Sequence, residues 1–91
     1  MTNRLASFRL ARAVTWMVES GGVAAINLDT GLAAHIGYPQ AAVWDFFCRR
    51  SSGLVEKTAV VAGIPESEAE RMIAEAAERW RDDGLIEEVA D

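Results

Sequence analysis

The sequence predicts an α+β domain in which an N-terminal three-stranded antiparallel meander is followed by three helices in a winged helix-turn-helix-like arrangement. Two patterns support this class: residues 13–37 alternate short β-branched runs with glycine-containing turns, and residues 40–83 show helical periodicity. A chain of 91 residues, 51% of them hydrophobic, can build one core but not two. We therefore predict a flexible N-terminal arm at residues 1–12 and a single domain at residues 13–91.

Three short strands are predicted before Pro39. The run at 13–18 is rich in β-branched and aromatic residues, and the sequence Glu-Ser-Gly-Gly that follows it is suited to a turn. A second strand at 23–28 is followed by Asp-Thr-Gly, which favours another reversal. In a third strand at 32–36, alternate side chains share a face, so Ala33 and His35 point away from the other three.

Helical spacing takes over after Pro39. Apolar residues at 43, 46 and 47 share one face of a predicted helix over residues 40–49. A second helix is expected over residues 54–62, with Ser51 or Ser52 as its cap and Gly63 at its end. The segment 85–89 is expected to be a short strand or a tail whose apolar residues pack inward.

The longest predicted helix begins between Pro65 and Ser67 and ends before Gly84. Ser67 and Glu70 have the spacing of a capping box, and glycine is favoured just after a helix end. An apolar stripe recurs at three- and four-residue intervals on one face of this helix: Ala69, Met72, Ile73, Ala76, Ala77 and Trp80. This stripe must be buried by the rest of the domain.

Charge and composition exclude several classes of function. Residues 1–50 hold five arginines and three acids, whereas residues 51–91 hold four basic and eleven acidic residues. An acidic long helix would be repelled by phosphate, so nucleic acid is not expected as a partner. The apolar runs are too short to cross a bilayer, and no export signal is recognised. We therefore expect a cytoplasmic protein without a membrane partner.

No catalytic, metal or cofactor site is predicted. The single histidine, His35, would need a partner such as Asp45 or Cys48, and a partly exposed strand histidine is the favoured interpretation. The single cysteine, Cys48, is expected to be a buried, unreactive thiol. We expect a protein that is not an enzyme and needs no cofactor.

Three short phrases in a fixed order carry a family resemblance. They are Ile-Asn-Leu-Asp-Thr-Gly at 26–31, Ala-Ala-Val-Trp at 41–44 and Asp-Gly-Leu-Ile at 83–86. Together they resemble the PqqD family, the small peptide chaperones of pyrroloquinoline quinone biosynthesis and the type members of the RiPP recognition elements. The resemblance covers residues 13–89. The chain departs from the family pattern at Gly37, where asparagine is usual, and at 51–53, where an Asp-Gly pair is usual.

The resemblance implies that the leader segment of a ribosomally made precursor peptide binds as an added strand, beside the third strand and the long helix. The bound peptide would then be presented to a modifying enzyme, such as a radical iron–sulfur enzyme. The residues expected at this site are Leu32, Ala33, Ala34, His35, Ile36, Met72, Ala76 and Arg79. A short edge strand supports this because it offers unpaired N–H and C=O groups.

Other interpretations remain open at this stage. The small and apolar residues of the expected site could be ordinary core. The chain could instead be a winged-helix DNA-binding regulator, or a general protein-interaction or dimerisation module. The same strand edge could also pair with its copy in a second chain to form a homodimer.

Overall fold

The structure, a computed structural model, describes residues 4–89. A 3₁₀ helix, five strands and three α-helices follow one another in the order 3₁₀ helix Arg4–Ser7, β1 Phe8–Leu10, β2 Val14–Glu19, β3 Gly22–Asn27, β4 Ala33–Gly37, α1 Gln40–Cys48, α2 Leu54–Ala62, α3 Glu66–Asp82 and β5 Ile86–Glu88. The predicted α+β class, a meander followed by three helices, is confirmed. Among residues 4–89, no helix is both long and apolar enough to span a membrane.

Strands β2, β3 and β4 form the predicted antiparallel meander in that spatial order. In β2 and β3, Val14 lies opposite Asn27, and in β3 and β4, Gly22 lies opposite Gly37. Val23, Ala25 and Ile36 are buried on the face that packs against the helices, because side chains alternate along a strand. Strand β4 covers residues 33–37, one residue later than predicted, because the β3–β4 loop includes Leu32.

A second, two-stranded sheet joins the two ends of the described chain. Strand β1 pairs antiparallel with β5, and Leu5 and Phe8 are buried in the core. The side chain of Arg4 also donates to Glu78 Oε1 of α3 at 2.9 Å, and this hydrogen bond holds the pKa of Glu78 below its usual range. Residues 4–10 therefore belong to the packed domain, which differs from the arm expected at residues 1–12. Residues 1–3 lie outside the described part of the chain.

The helices match the predicted segments, but their caps differ from prediction. Pro65 is the N-cap of α3 without a side-chain hydrogen bond, so the capping box of Ser67 is not formed, and α2 likewise begins at Gly53 without a side-chain cap. The end of α3 agrees with prediction: Gly84 adopts a left-handed φ of 76°, and the next N–H, of Leu85, donates to Trp80 O at 2.9 Å. These two features define a Schellman motif.

The core is centred on an aromatic cluster between the sheet and the helices. Trp44 of α1 is fully buried and meets Trp80 of α3 edge-on, with ring centroids 5.1 Å apart. Trp16 of β2 meets Trp44 edge-on from the sheet at 6.1 Å. The predicted stripe of α3 is buried except for Met72, which is half-buried. At the chain end, Leu85 and Ile86 pack inward as expected, whereas Val89 is exposed.

Candidate functional site: a groove between strand β4 and helix α3

An open groove of about 330 Å³ runs between β4 and α3. Both of its walls are regular elements, so their relative position is fixed by the core beneath them. The lining residues come from β4, the start of α1 and one face of α3: Ala34, His35, Ile36, Gly37, Gln40, Met72, Glu75, Ala76, Arg79, Trp80 and Asp83.

One wall of the groove is a free strand edge. Strand β4 is the last strand of its sheet, and no strand among residues 4–89 pairs with its outer side. The N–H of Asn27 donates to Leu32 O at 2.9 Å, one position beyond the last ladder pair, Ile26 and Ala33, which is therefore a non-hydrogen-bonded pair. Hydrogen-bonded and non-hydrogen-bonded pairs alternate along an antiparallel ladder, so the next pair, Ala25 and Ala34, is hydrogen-bonded. The N–H and C=O groups of Ala33, His35 and Gly37 therefore point outward, away from β3.

The floor of the groove is apolar and shallow. Ile36, Ala76 and Trp80 are only 5%, 6% and 3% exposed, and half-buried Ala34 and Met72 flank them. The two alanines keep the floor low, which leaves room for side chains of a bound molecule. Trp80 cannot move aside easily, because its ring is held edge-on against Trp44.

The rim of the groove is charged on the helix side. Arg79 Nε lies 3.1 Å from Oδ2 of Asp83, the residue that follows α3, and Glu75 is exposed one turn before Arg79. An exposed pair of this kind contributes little to stability, so both side chains are free to exchange partners when a ligand arrives. The rim can therefore select for charge without carrying the affinity.

A buried asparagine fixes one end of the groove. Asn27 Nδ2 donates to the carbonyl of Gly84 at the end of α3, at 2.7 Å, and Asn27 Oδ1 accepts from the backbone N–H groups of Asp29 and Thr30 at 2.9 and 3.2 Å. The β3–β4 loop and the C-terminal end of α3 are therefore joined through one side chain. Because Asn27 itself is buried and all three bonds are partly shielded from water, this link helps to hold β4 at a set distance from α3.

Six of the eight residues predicted for the site line this groove: Ala34, His35, Ile36, Met72, Ala76 and Arg79. Leu32 and Ala33 are not among the lining residues. Leu32 is 54% exposed in the loop before β4, and the side chain of Ala33 lies on the opposite face of the sheet. Ala33 remains close to the site through its outward N–H and C=O groups.

The sequence missed five lining residues: Gly37, Gln40, Glu75, Trp80 and Asp83. Glu75 and Asp83 could have been found, because they lie four residues on either side of Arg79 and so share its helix face. Trp80 was recognised only as core. Gln40 follows the turn after β4, and its position beside the groove depends on tertiary packing that no local pattern records.

The lone histidine and cysteine do not meet. His35 Nε2 lies 3.1 Å from Glu19 Oε1 on the outer face of the sheet, whereas Asp45 pairs with Arg49 on α1 at 3.0 Å. Burial, together with the charge of Asp45, raises the pKa of the Cys48 thiol to about 12. Within residues 4–89, no three histidine, cysteine or acidic residues come together as metal ligands.

Comparisons with known proteins give a fold but no family. No family model matches the sequence, and no curated protein matches it. Among solved structures, the chain is similar to TbiB1 in complex with the TbiA(beta) leader peptide, with a TM-score of 0.82 and 16% identity over 91% of this chain and 99% of that one. It is also similar to a lasso peptide synthetase B1 complexed with the leader peptide, with a TM-score of 0.79 and 16% identity over 89% and 98% of the two chains. This chain therefore has the fold of proteins whose structures were solved with leader peptides bound.

Proposed function

We propose that this chain is a non-catalytic peptide-binding chaperone that recognises the leader segment of a ribosomally made precursor peptide, in the manner of a PqqD-like RiPP recognition element. The observation that carries the proposal is the free edge of β4 beside a groove with a buried apolar floor. The similarity of the fold to two proteins solved with leader peptides supports the same ligand class.

The leader would bind as an added strand along β4. Outward groups of Ala33, His35 and Gly37 would pair with the peptide backbone, while every second peptide side chain would enter the groove over Ile36 and Ala76. Each apolar side chain buried there contributes about 1.5–3 kcal/mol, against about 0.5–1.5 kcal/mol for each main-chain hydrogen bond. Side chains would thus supply most of the affinity, and the hydrogen bonds would fix the register.

The groove is built for binding rather than for bond breaking. Its described lining contains no serine, threonine, cysteine or lysine that could act as a nucleophile; of its two carboxylates, Glu75 is exposed to water and Asp83 is paired with Arg79. Its one histidine is directed to Glu19 on the other face of the sheet. We therefore propose that chemistry on the precursor is carried out by a separate modifying enzyme, such as a radical iron–sulfur enzyme, to which this chain presents the bound leader.

A titration with a synthetic leader tests the proposal. The peptide is the leader of a short precursor to be sought among the open reading frames that neighbour this gene, and a scrambled peptide of the same composition is the control. By calorimetry, we expect saturable binding of the leader and no binding of the scrambled control. Met72→Glu places a charge in the groove and should weaken binding at least tenfold. Met17 is 64% exposed on the other face of the sheet, so Met17→Glu should leave binding unchanged. Equal effects of the two variants would contradict the proposed site.

A DNA-binding regulator is the second candidate, because α2 and α3 are joined by a tight turn at Gly63 as in a helix-turn-helix. The exposed start of α3, however, presents Glu66 and Glu68 where a DNA reader would place basic or amide side chains. We expect no salt-sensitive complex with random duplex DNA in a mobility-shift assay at low salt. A complex in the micromolar range would favour the regulator over the chaperone.

The free edge of β4 could also pair with a second copy of the chain. Such a homodimer would use the same outward groups as the peptide, so the two would compete. Sedimentation with and without leader distinguishes them. We expect a species of one chain and one peptide in the presence of leader, and a dimer that persists at saturating leader would remove the edge from the peptide site.

A further inference from the structure

Two further cavities lie at the C-terminal end of α1, away from the groove. The larger, about 150 Å³, has an aromatic and aliphatic lining with one arginine: Leu5, Ala6, Phe8, Phe46, Phe47, Arg50, Ser51 and Leu54. A smaller one of about 50 Å³ is lined by Arg9, Leu10, Phe47, Cys48 and Arg50. Phe47 and Arg50 belong to both. We call this surface the Phe47–Arg50 pocket, and none of its residues lines the groove.

Arg50 occupies a backbone position that favours glycine. Helix α1 ends in the same Schellman motif as α3, with Arg50 N–H bonded to Phe47 O at 3.1 Å and Ser51 N–H bonded to Phe46 O at 3.0 Å. The left-handed position that Gly84 fills in α3 is filled here by Arg50, at a φ of 53°. Among residues 4–89, it is the one non-glycine residue with positive φ. A residue with a side chain is strained at this φ, and glycine would relieve the strain.

The guanidinium of Arg50 has no acidic partner among the described residues. Arg9 is paired with Glu87 and Arg49 with Asp45, but Arg50 takes part in no ion pair among the described residues and is exposed. The pocket therefore offers a free positive charge beside an apolar cavity, on a chain whose net charge is −5. An anionic group carrying an apolar neighbour is the complementary chemistry.

The size of the pocket selects among possible ligands. Pockets for drug-sized molecules and cofactors occupy about 300–1,000 Å³, so a cavity half that size or less takes a single side chain. Aromatic residues and arginine are also the types enriched at the centres of protein interfaces. These features favour a protein segment over a small molecule.

We infer that the Phe47–Arg50 pocket is a second protein-binding site, which takes an apolar side chain flanked by a carboxylate from a partner protein. The apolar side chain enters the cavity over Phe46 and Phe47, and the carboxylate pairs with Arg50. The groove is lined by Gln40 at the start of α1 and the pocket by residues from Phe46 onward, so the two are roughly 9–12 Å apart along the helix and both can be occupied at once. The inference does not depend on leader binding at the groove.

The inference is tested by titrating the ¹⁵N-labelled protein with three blocked tetrapeptides at millimolar concentration and following its amide chemical shifts. Glu-Leu-Phe-Glu carries both features, Gln-Leu-Phe-Gln lacks the charge, and Glu-Ser-Ser-Glu lacks the apolar side chains. We expect shifts of residues 46–54 with the first peptide alone, weakened severalfold between 50 and 500 mM NaCl. Equal shifts with all three peptides, no shifts, or shifts confined to β4 and α3 would overturn the inference.

Two arginine variants supply the matched comparison. Arg50→Gly removes the guanidinium and suits the left-handed backbone, so its melting temperature should be unchanged or higher while binding of Glu-Leu-Phe-Glu falls about three- to fivefold. Arg49→Gln removes a positive charge at the neighbouring residue, which does not line the pocket, and should change binding less than threefold. Equal losses in the two variants would show that Arg50 acts only through the overall charge of the protein. A melting temperature lowered by Arg50→Gly would show that Arg50 stabilises the fold instead.

Discussion

Replacing His35 with proline removes one outward hydrogen-bond donor from the edge of β4 while leaving the β3–β4 ladder intact. The register places the N–H of His35 on the free side of the strand, and proline is tolerated at edge positions of this kind. If a leader peptide pairs with this edge, one of its carbonyl groups loses its partner in the variant.

The expected loss follows from the exposure of the edge. A main-chain hydrogen bond contributes about 0.5–1.5 kcal/mol, and a carbonyl left without a partner costs about 1–3 kcal/mol when buried. Because the edge is open to water on one side, we expect the lower half of this range, about 1–2 kcal/mol. That energy corresponds to about a 5- to 30-fold increase in the dissociation constant.

The assay is calorimetric titration with the leader, accompanied by thermal denaturation of each variant. His35→Thr keeps the N–H and loses the imidazole and its contact with Glu19, an exposed interaction that contributes at most about 1 kcal/mol to stability, so its affinity should stay within about twofold. Ala34→Pro removes an N–H that points to β3 and should lower the melting temperature, unlike His35→Pro. An affinity for His35→Pro equal to that of His35→Thr would refute strand pairing at this edge.

Three further predictions concern the core. Trp80→Ala should destabilise the domain by about 3–5 kcal/mol, because the tryptophan is buried against Trp44. The melting temperature should then fall by roughly 12–40 °C in a circular dichroism melt, and a shift below about 5 °C would contradict this packing. Thr58→Val should raise stability in urea by about 1 kcal/mol, because the buried hydroxyl has no partner among the described residues; a loss of that size would show that the hydroxyl is bonded after all. At pH 8, iodoacetamide should alkylate Cys48 roughly ten- to a thousandfold more slowly in the native than in the urea-unfolded protein. Burial, with a smaller contribution from Asp45, raises the pKa of this thiol to about 12, so little thiolate is present in the native protein. Since the thiolate fraction grows tenfold per pH unit below that pKa, the native rate should still be rising at pH 10, and a plateau near pH 8.5 would contradict the raised pKa.

Local patterns predicted the elements of the fold well because each was encoded nearby in the chain. The α3 stripe, the glycine at its end and the two hairpins each depend on residues within a few positions of one another. The pairing of β1 with β5 was missed because its two strands are nearly the whole chain apart, and neither is amphipathic enough to indicate a partner. The N-caps at Gly53 and Pro65 were missed because the capping pattern relies on a side-chain oxygen, which neither residue has.

The groove was predictable in outline and not in its details. A short third strand at the end of a meander must leave one edge free, and the small residues of β4 and α3 marked the adjoining surface. Which backbone groups face outward depends on the phase of the β3–β4 ladder, and the loop between these strands sets that phase. Gln40 and the Asn27 link to Gly84 are tertiary features, invisible before α1 and α3 are placed.

Residue-resolved hydrogen exchange, with and without saturating leader, tests strand addition at β4 most directly. In the free protein, the amides of Ala34 and Ile36 should already be protected, because they point to β3, whereas those of Ala33, His35 and Gly37 should exchange freely. On binding, we expect protection to appear at Ala33, His35 and Gly37. Saturation with leader that leaves these three amides exchanging as in the free protein, with new protection elsewhere, would contradict strand addition at β4.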